Sequence, residues 1–305
     1  MDKSILVKED FINSRIDKWI KRNVCYVPQC LIEKSLRNKN ITVNKLKVKS
    51  SYKLKANDKI YLNNFSPVDV NLNNNKKYIP GKKEIRDSNA FIVDDNKNFC
   101  IINKPYGLAV QGGSKINKNL VDLITKNSIF SNSKPFIVHR IDKETSGILI
   151  IAKNRRYAQL FTSLFRIRKI HKSYLSICYG EMEKDKGTFD DNLVRYEKSK
   201  KISERAITHY KVVDKNTNTT LLALNPITGR KHQIRKQLFS IGFPVIGDSK
   251  YNFPENKINQ NKNLMLHAYS IKFMINEKKY NYTVNVPDYF NKMLLAKRLT
   301  LFKNS

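Results

Sequence analysis

Gly147 is followed by five apolar residues, Ile148-Leu149-Ile150-Ile151-Ala152. A run this short, aliphatic and largely β-branched, bounded by a glycine, predicts a buried strand. Thr145-Ser146-Gly147 supplies turn chemistry at its start. Ahead of the glycine, charged and hydroxyl side chains surround Ile141 from His139 to Ser146. Asp142 is therefore expected on a loop at the edge of a rigid sheet, where a carboxylate is positioned by the scaffold yet open to a ligand. The same local sequence also fits an acid in a solvated turn, salted by Arg140 and Lys143.

Charge narrows the partners. The chain has 305 residues, with 58 Lys and Arg against 26 Asp and Glu, a formal charge of +32. Residues 1–80 carry 17 basic and 7 acidic side chains, so the excess is spread along the chain and is not a basic tail. Such a balance fits a polyanion, because Lys and Arg displace condensed counterions from phosphates. Compositional drift toward Lys and Asn would account for part of the excess, but not for the shortage of acids. Cys25, Cys30, Cys100 and Cys178 show no CxxC spacing and have no histidine near enough to complete a zinc site, which predicts reduced thiols. Asp2, Lys3, Lys8, Glu9 and Asp10 leave no apolar signal segment in the first ten residues. No apolar run approaches the roughly 18 residues of a membrane helix. The expectation is a soluble, cytoplasmic protein with no membrane association. No nucleotide loop, metal cluster, flavin or nicotinamide fingerprint is evident, so no nucleotide cofactor is expected.

From Ser14, Ile16, Trp19 and Ile20 recur at helical spacing with Lys18, Lys21 and Arg22 opposite, and Pro28 opens a second helical stretch with Leu31, Ile32 and Leu36. Residues 41–43, 48–54 and 60–62 read as short strands, with turns at Asn44-Lys45 and Asn57-Asp58. Residues 1–62 thus predict a small α+β module with a basic face. Residues 63–88, rich in Asn, Lys and Pro, predict a linker, and 89–305 a larger domain. In that domain the pattern predicts a strand pair over 91–102, a short helix over 119–127 and a strand at 136–138. Asn154 suits an N-cap before a helix with Tyr157, Leu160, Phe161, Leu164 and Phe165 on one face. A strand is expected over 171–179, then a polar excursion with turns over 181–205. A hairpin over 206–224 turns at Asp214-Lys215-Asn216. A helix from the residues after Gly229 stops at Gly242, and a last one follows Pro287.

Two stretches carry a resemblance. His139-Arg140-Ile141-Asp142, then Thr145-Ser146-Gly147, is similar to the active-site motif of the RluA-type family of RNA pseudouridine synthases, with Ile141 where Leu is usual. Thr228-Gly229-Arg230-Lys231-His232-Gln233-Ile234-Arg235 is similar to a second family motif, with Lys231 for the more common Thr and Lys236-Gln237 for the usual Val-His. Asn103-Lys104-Pro105 with Gly107, Gly112-Gly113-Ser114, Lys172-Ser173-Tyr174, residues 245–251 and Leu266-His267-Ala268 add to the match. Taken alone, the Pro and Gly residues would also form an ordinary loop, and Tyr174 an ordinary strand packing residue.

The resemblance implies an α+β fold, a mixed, mainly antiparallel sheet flanked by helices and loops. It implies a nucleophile at Asp142, a base-stacking ring at Tyr174 and a cation beside the nucleophile at Arg235. It also implies that Arg140 enters the space left by an everted base, that His139 helps shape that loop, and that His139, Arg140, Arg230, Lys231 and His232 contact RNA. No metal or other cofactor is implied, since His232 and His267 have no third ligand at useful spacing. Three roles stay open for Asp142: attack at C1′, attack at C6, or withdrawal of the sugar 2′-hydrogen. Residues 14–62 resemble the S4 RNA-binding domain, which implies RNA-backbone contacts by Arg15, Lys18, Lys34, Arg37 and Lys45. An S4 module joined to this core points to 23S ribosomal RNA as partner and to a monomer. The RluC branch is most similar, and the RluD-type branch is its rival. A non-catalytic RNA-binding or ribosome-assembly protein on the same fold is the competing reading.

Overall fold

The computed structural model describes residues 3–24, 28–63, 65, 78–112, 116, 118–197, 200–254 and 263–301. The chain divides into two units, residues 1–76 and 77–305. In the first, β1 (Lys3–Leu6), α1 (Ile16–Asn23), α2 (Gln29–Arg37), β2 (Ile41–Val43) and β3 (Lys59–Leu62) follow one another. The strands form an antiparallel sheet in the order β1-β3-β2. Ile16, Trp19 and Ile20 of α1 and Ile32 and Leu36 of α2 share a core with Ile41, Val43, Leu54 and Ile60, so the helical spacing of the apolar residues marks the buried faces. Asp17 is buried at the start of α1 and takes hydrogen bonds from Arg15 (3.2 and 2.7 Å), Gln29 (2.9 Å) and the Lys18 amide (2.7 Å).

The strand expected over 48–54 does not form. Within that stretch only Leu54 is buried, too little apolar surface to build a strand face. The segment instead runs beside residues 13–16, where the Leu54 amide donates to the Ser14 carbonyl at 2.9 Å and the Ile16 amide to the Tyr52 carbonyl at 2.9 Å. The expected linker over 63–88 needs a second correction. Residues 64 and 66–77 lie outside the described residues, but Lys82–Asp87 forms α3. Its Glu84 accepts from the Tyr78 hydroxyl and the Gly81 amide and pairs with Lys118. These contacts fix a helix that has a single apolar side chain, Ile85, and so no hydrophobic period to read.

The second unit continues with β4 (Ile92–Asp95), β5 (Phe99–Lys104), α4 (Leu120–Ile124), β6 (Phe136–Ile137), β7 (Ser146–Ala152) and α5 (Arg155–Arg166). Then come β8 (His171–Tyr179), β9 (Lys186–Glu197), β10 (Lys200–Asn216), β11 (Thr219–Pro226) and α6 (Gln233–Ser240), followed by β12 (Leu266–Ile275), β13 (Lys278–Thr283) and α7 (Asp288–Ala296). The described strands form one ten-stranded sheet in the order β4-β5-β7-β12-β8-β11-β10-β9, with β6 on β7 and β13 on β12. Every pairing is antiparallel except β7 with β12.

The apolar run of β7 is buried at every residue because both sheet faces are covered. Leu149 and Ile151 pack with Cys100 and Ile102 against Leu120, Leu123 and Ile124 on one side. Ile148 and Ile150 pack with Phe99 and Ile101 against Phe161 of α5 on the other. Asn154 caps α5 by accepting from the Tyr157 amide at 2.9 Å, a contact worth about 1 kcal/mol. Gly147 has φ +109°, and a Cβ there would stand 2.2 Å from the Ala268 carbonyl oxygen. Only glycine lets β12 come this near at the mouth of the loop that carries Asp142.

Residues 181–205 hold β9 and the first part of β10, where turns were expected. Their long antiparallel pairing is laced by Arg195–Glu204 at 2.8 Å and Arg205–Asp190 at 2.5 Å. Among the described residues, no helix is long and apolar enough to cross a membrane.

Candidate active site

The loop from β6 to β7 is held from three directions. Ile141 is buried in the core and anchors it from within. The Thr145 amide donates to the Asp142 carbonyl at 3.2 Å and closes a turn over 142–145. Lys104, at the end of β5, is fully buried, and its Nζ donates to the carbonyls of Pro105 (2.9 Å), Leu108 (2.8 Å) and Lys143 (3.1 Å). The Gly107 amide donates to that same Lys143 carbonyl at 3.0 Å. The Asn-Lys-Pro segment thus shapes a wall of the site through a buried ammonium. Burial draws the Lys104 amine down to about 7, against the pull of Glu144 and Asp142.

His139 was expected to face RNA, and it faces inward. Its Nε2 accepts the Ile150 amide at 2.9 Å and its ring packs on Phe165, with centroids 4.5 Å apart. It fastens the loop to β7 through that nitrogen. Arg140 is exposed at the rim.

Tyr174 enters from β8, flanked in the sheet by Ala268 and Leu224. Burial, and then the charge of Asp142, push its phenol above the ordinary tyrosine value. From the other side comes α6. Gln233 knits its first turn to β10, accepting from the Arg230 amide at 3.0 Å and from the Thr228 hydroxyl at 2.7 Å while donating to the Ile207 carbonyl at 3.0 Å. His232 adopts the left-handed conformation just before α6, with φ 55°. This turns its ring toward the loop, with Nε2 3.7 Å from Asp142 Oδ1 and Nδ1 3.0 Å from the Tyr251 hydroxyl.

Arg235 was expected to pair with Asp142. Its main partner is Asp248, which the sequence reading did not single out. Nε and Nη2 donate to the two oxygens of this buried carboxylate at 2.6 and 2.7 Å. Nη1 is left to point at Asp142 Oδ2, 3.4 Å away, with Glu144 at 3.7 Å. The planar fork suits this double use. Asp248 also accepts the amides of Lys250 and Tyr251 at 2.9 Å each, so its orientation is fixed before any ligand arrives. Arg230 reaches outward to Glu204 (2.9 Å) and the Arg205 carbonyl (3.2 Å), and Lys231 is exposed.

Arg140, Asp142, Lys172, Tyr174, Arg230, His232 and Arg235 line one cleft of about 530 Å³, part of it open to solvent. A carboxylate, an aromatic ring and a fixed guanidinium therefore converge on one open cleft.

Residues 98–240, which run from the start of β5 to the end of α6, match the family model described as RNA pseudouridylate synthase. The "Ribosomal large subunit pseudouridine synthase C" of Buchnera aphidicola subsp. Baizongia pistaciae is 33% identical over 308 residues, covering 95% of each chain. The protein of that name in Rickettsia felis is 36% identical over 297 residues, covering 92% of this chain and 95% of its own. The chain belongs to the RNA pseudouridylate synthase family. The synthase is accordingly an isomerase that acts on RNA. Its fold is similar to that of human RNA pseudouridylate synthase domain containing 4, with a TM-score of 0.61 and 27% identity over 72% of this chain and 98% of that one.

Two imidazoles beside the synthase's site stay neutral. Desolvation, joined by the charge of Lys172, takes His139 down to about 3, and desolvation takes His267 down to about 4. Both would protonate near 6.5 in the unfolded chain. Below that pH the unfolded state binds protons that the folded state refuses, so stability falls as pH falls from 6.5 toward 4. Thermal melts across this window are expected to show a declining midpoint. His139→Gln, which keeps an acceptor for the Ile150 amide, is expected to flatten part of the slope. An unchanged slope in that variant would contradict the assignment.

Proposed function

We propose that this synthase converts specific uridines of 23S ribosomal RNA to pseudouridine, with Asp142 as the nucleophile. The observation that carries the reading is the single cleft shared by Asp142, Tyr174 and Arg235. The reaction breaks the N1–C1′ bond, turns the uracil and joins C5 to C1′, and only the C5 proton departs. No redox equivalent is needed. The chain's task is to hold the nucleotide, supply a carboxylate and exclude competing chemistry. Arg235, clamped by Asp248, offers one N–H to the Asp142 carboxylate. Tyr174 serves as a floor for the uracil. Its raised pKa keeps it a neutral phenol, which suits stacking better than proton abstraction.

A stacked uridine cannot enter the cleft and must be everted, at roughly a few kcal/mol. Arg140, exposed beside Asp142, is the residue that would occupy the space it leaves. Phosphate contacts offset the rest. The first unit fits an S4-like RNA-binding role: Lys18, Lys34, Arg37 and Lys45 are all exposed on it, whereas Arg15 is held by Asp17. The ribosomal substrate is supported by the names of relatives that align over nearly the whole chain, and a cytoplasmic enzyme is consistent with it.

The test is release of tritium from C5-labelled uridine in 23S rRNA, together with chemical mapping of pseudouridines in RNA from a deletion strain. Release by the purified chain and a short set of missing positions restored by its gene are expected. No release, with an unchanged map, would refute the substrate.

A further inference from the structure

Lys172 lies two residues before Tyr174 on β8, so the two side chains leave the strand on the same face. Both line the cleft with Asp142. The other cations that reach into this space from α6 and its preceding loop are matched: Arg235 by Asp248, Arg230 by Glu204. The Lys172 side chain makes no hydrogen bond or ion pair with any described residue. It is half-buried, and desolvation draws its amine down to about 8. An ammonium taken partly out of water with no acceptor is unfavourable in the free protein. It becomes favourable once an anion enters.

We propose that Lys172 binds a non-bridging phosphate oxygen next to the everted uridine and so fixes the ribose over Asp142. This rests on the reading of the cleft as the uridine site. The spacing fits. Alternate residues on a strand stand about 7 Å apart, comparable to the distance from a nucleobase to a phosphate of its own nucleotide. With the base on Tyr174, Lys172 meets the backbone at one side and Arg235 holds the nucleophile at the other. A point charge on a flexible stem suits a phosphate whose position is set mainly by the stacked base.

The experiment uses the full chain and a 23S rRNA fragment assembled from synthetic pieces. The linkage on either the 5′ or the 3′ side of the target is made a neutral methylphosphonate. Lys172→Met is expected to lower kcat/KM by roughly ten- to a hundredfold, the range for a hydrogen bond to a charged group, and Lys172→Arg to restore most of it. On one of the two neutral substrates the wild type is expected to lose as much, and Lys172→Met to lose nothing further. The melting midpoint of Lys172→Met should equal or exceed that of the wild type, because an unmatched cation has been removed. Losses that multiply on both neutral substrates would assign Lys172 to an uncharged acceptor such as a uracil carbonyl and overturn the proposal. So would full activity of Lys172→Met, or a fall in its melting midpoint matching its loss of rate. Failure of the wild type to release tritium from the unmodified fragment would instead sink the reading of the cleft.

Discussion

Asp142→Asn is expected to remove turnover, with a loss on the order of 10⁴-fold or more, as for removal of a nucleophile. RNA affinity is expected to stay within about twofold, because phosphate contacts dominate binding. Any change should favour binding, since a negative charge has left a cleft that receives a polyanion. The structure makes this substitution clean. Arg235 keeps its two short bonds to Asp248 when Asp142 is neutralised. The turn is closed through the main-chain carbonyl of residue 142, which asparagine retains. Tritium release and a filter-binding isotherm on the same preparation check both halves. Parallel loss of affinity and rate would mean that Asp142 shapes the loop and leaves the chemistry to another group.

Asp248→Ala is expected to be the most destabilising change at the site. It strands a guanidinium that is 3% exposed and orphans the two amides that Asp248 accepts. Breaking one side of a buried pair is typically worth about 3–5 kcal/mol, so the melting midpoint should drop by many degrees. Asp142, at 3.4 Å, would then compete for the freed fork, and any residual folded enzyme should turn over slowly. Replacing both partners with apolar residues, Asp248→Leu with Arg235→Met, is expected to recover much of the stability and none of the activity. A single Asp248→Ala variant that melts like the wild type would show that Arg235 is held by something else.

Local signals in the sequence located the framework of the site. The apolar run after Gly147, the cap at Asn154 and the apolar spacing in α1 and α5 each report burial by neighbours a few residues away, and periodicity reads that well. The β9–β10 pair was illegible because it is an edge hairpin with few core residues. Its register rests on backbone bonds and on charged pairs such as Arg195–Glu204, which in one dimension look like any solvated loop. Asp248 was missed for a related reason. An acid after a glycine reads as a turn, and only tertiary structure shows that it meets Arg235, thirteen positions earlier. Lys104 belongs to the same class. A lysine before a proline suggests a surface bend, and its burial depends on three carbonyls gathered from two separate loops. His139 errs in the opposite direction: its motif suggested a ligand contact, and its nitrogen is committed to the Ile150 amide.

The grip on the catalytic turn is taken on main-chain oxygen, since Lys104 and Gly107 both hold the carbonyl of residue 143. Such a hold is blind to the side chain carried there. Position 143 is thus free to drift in charge and size to suit a different stretch of RNA, while the carboxylate one residue earlier stays where it is. The outer side of this loop can be retuned without disturbing the carboxylate beside it.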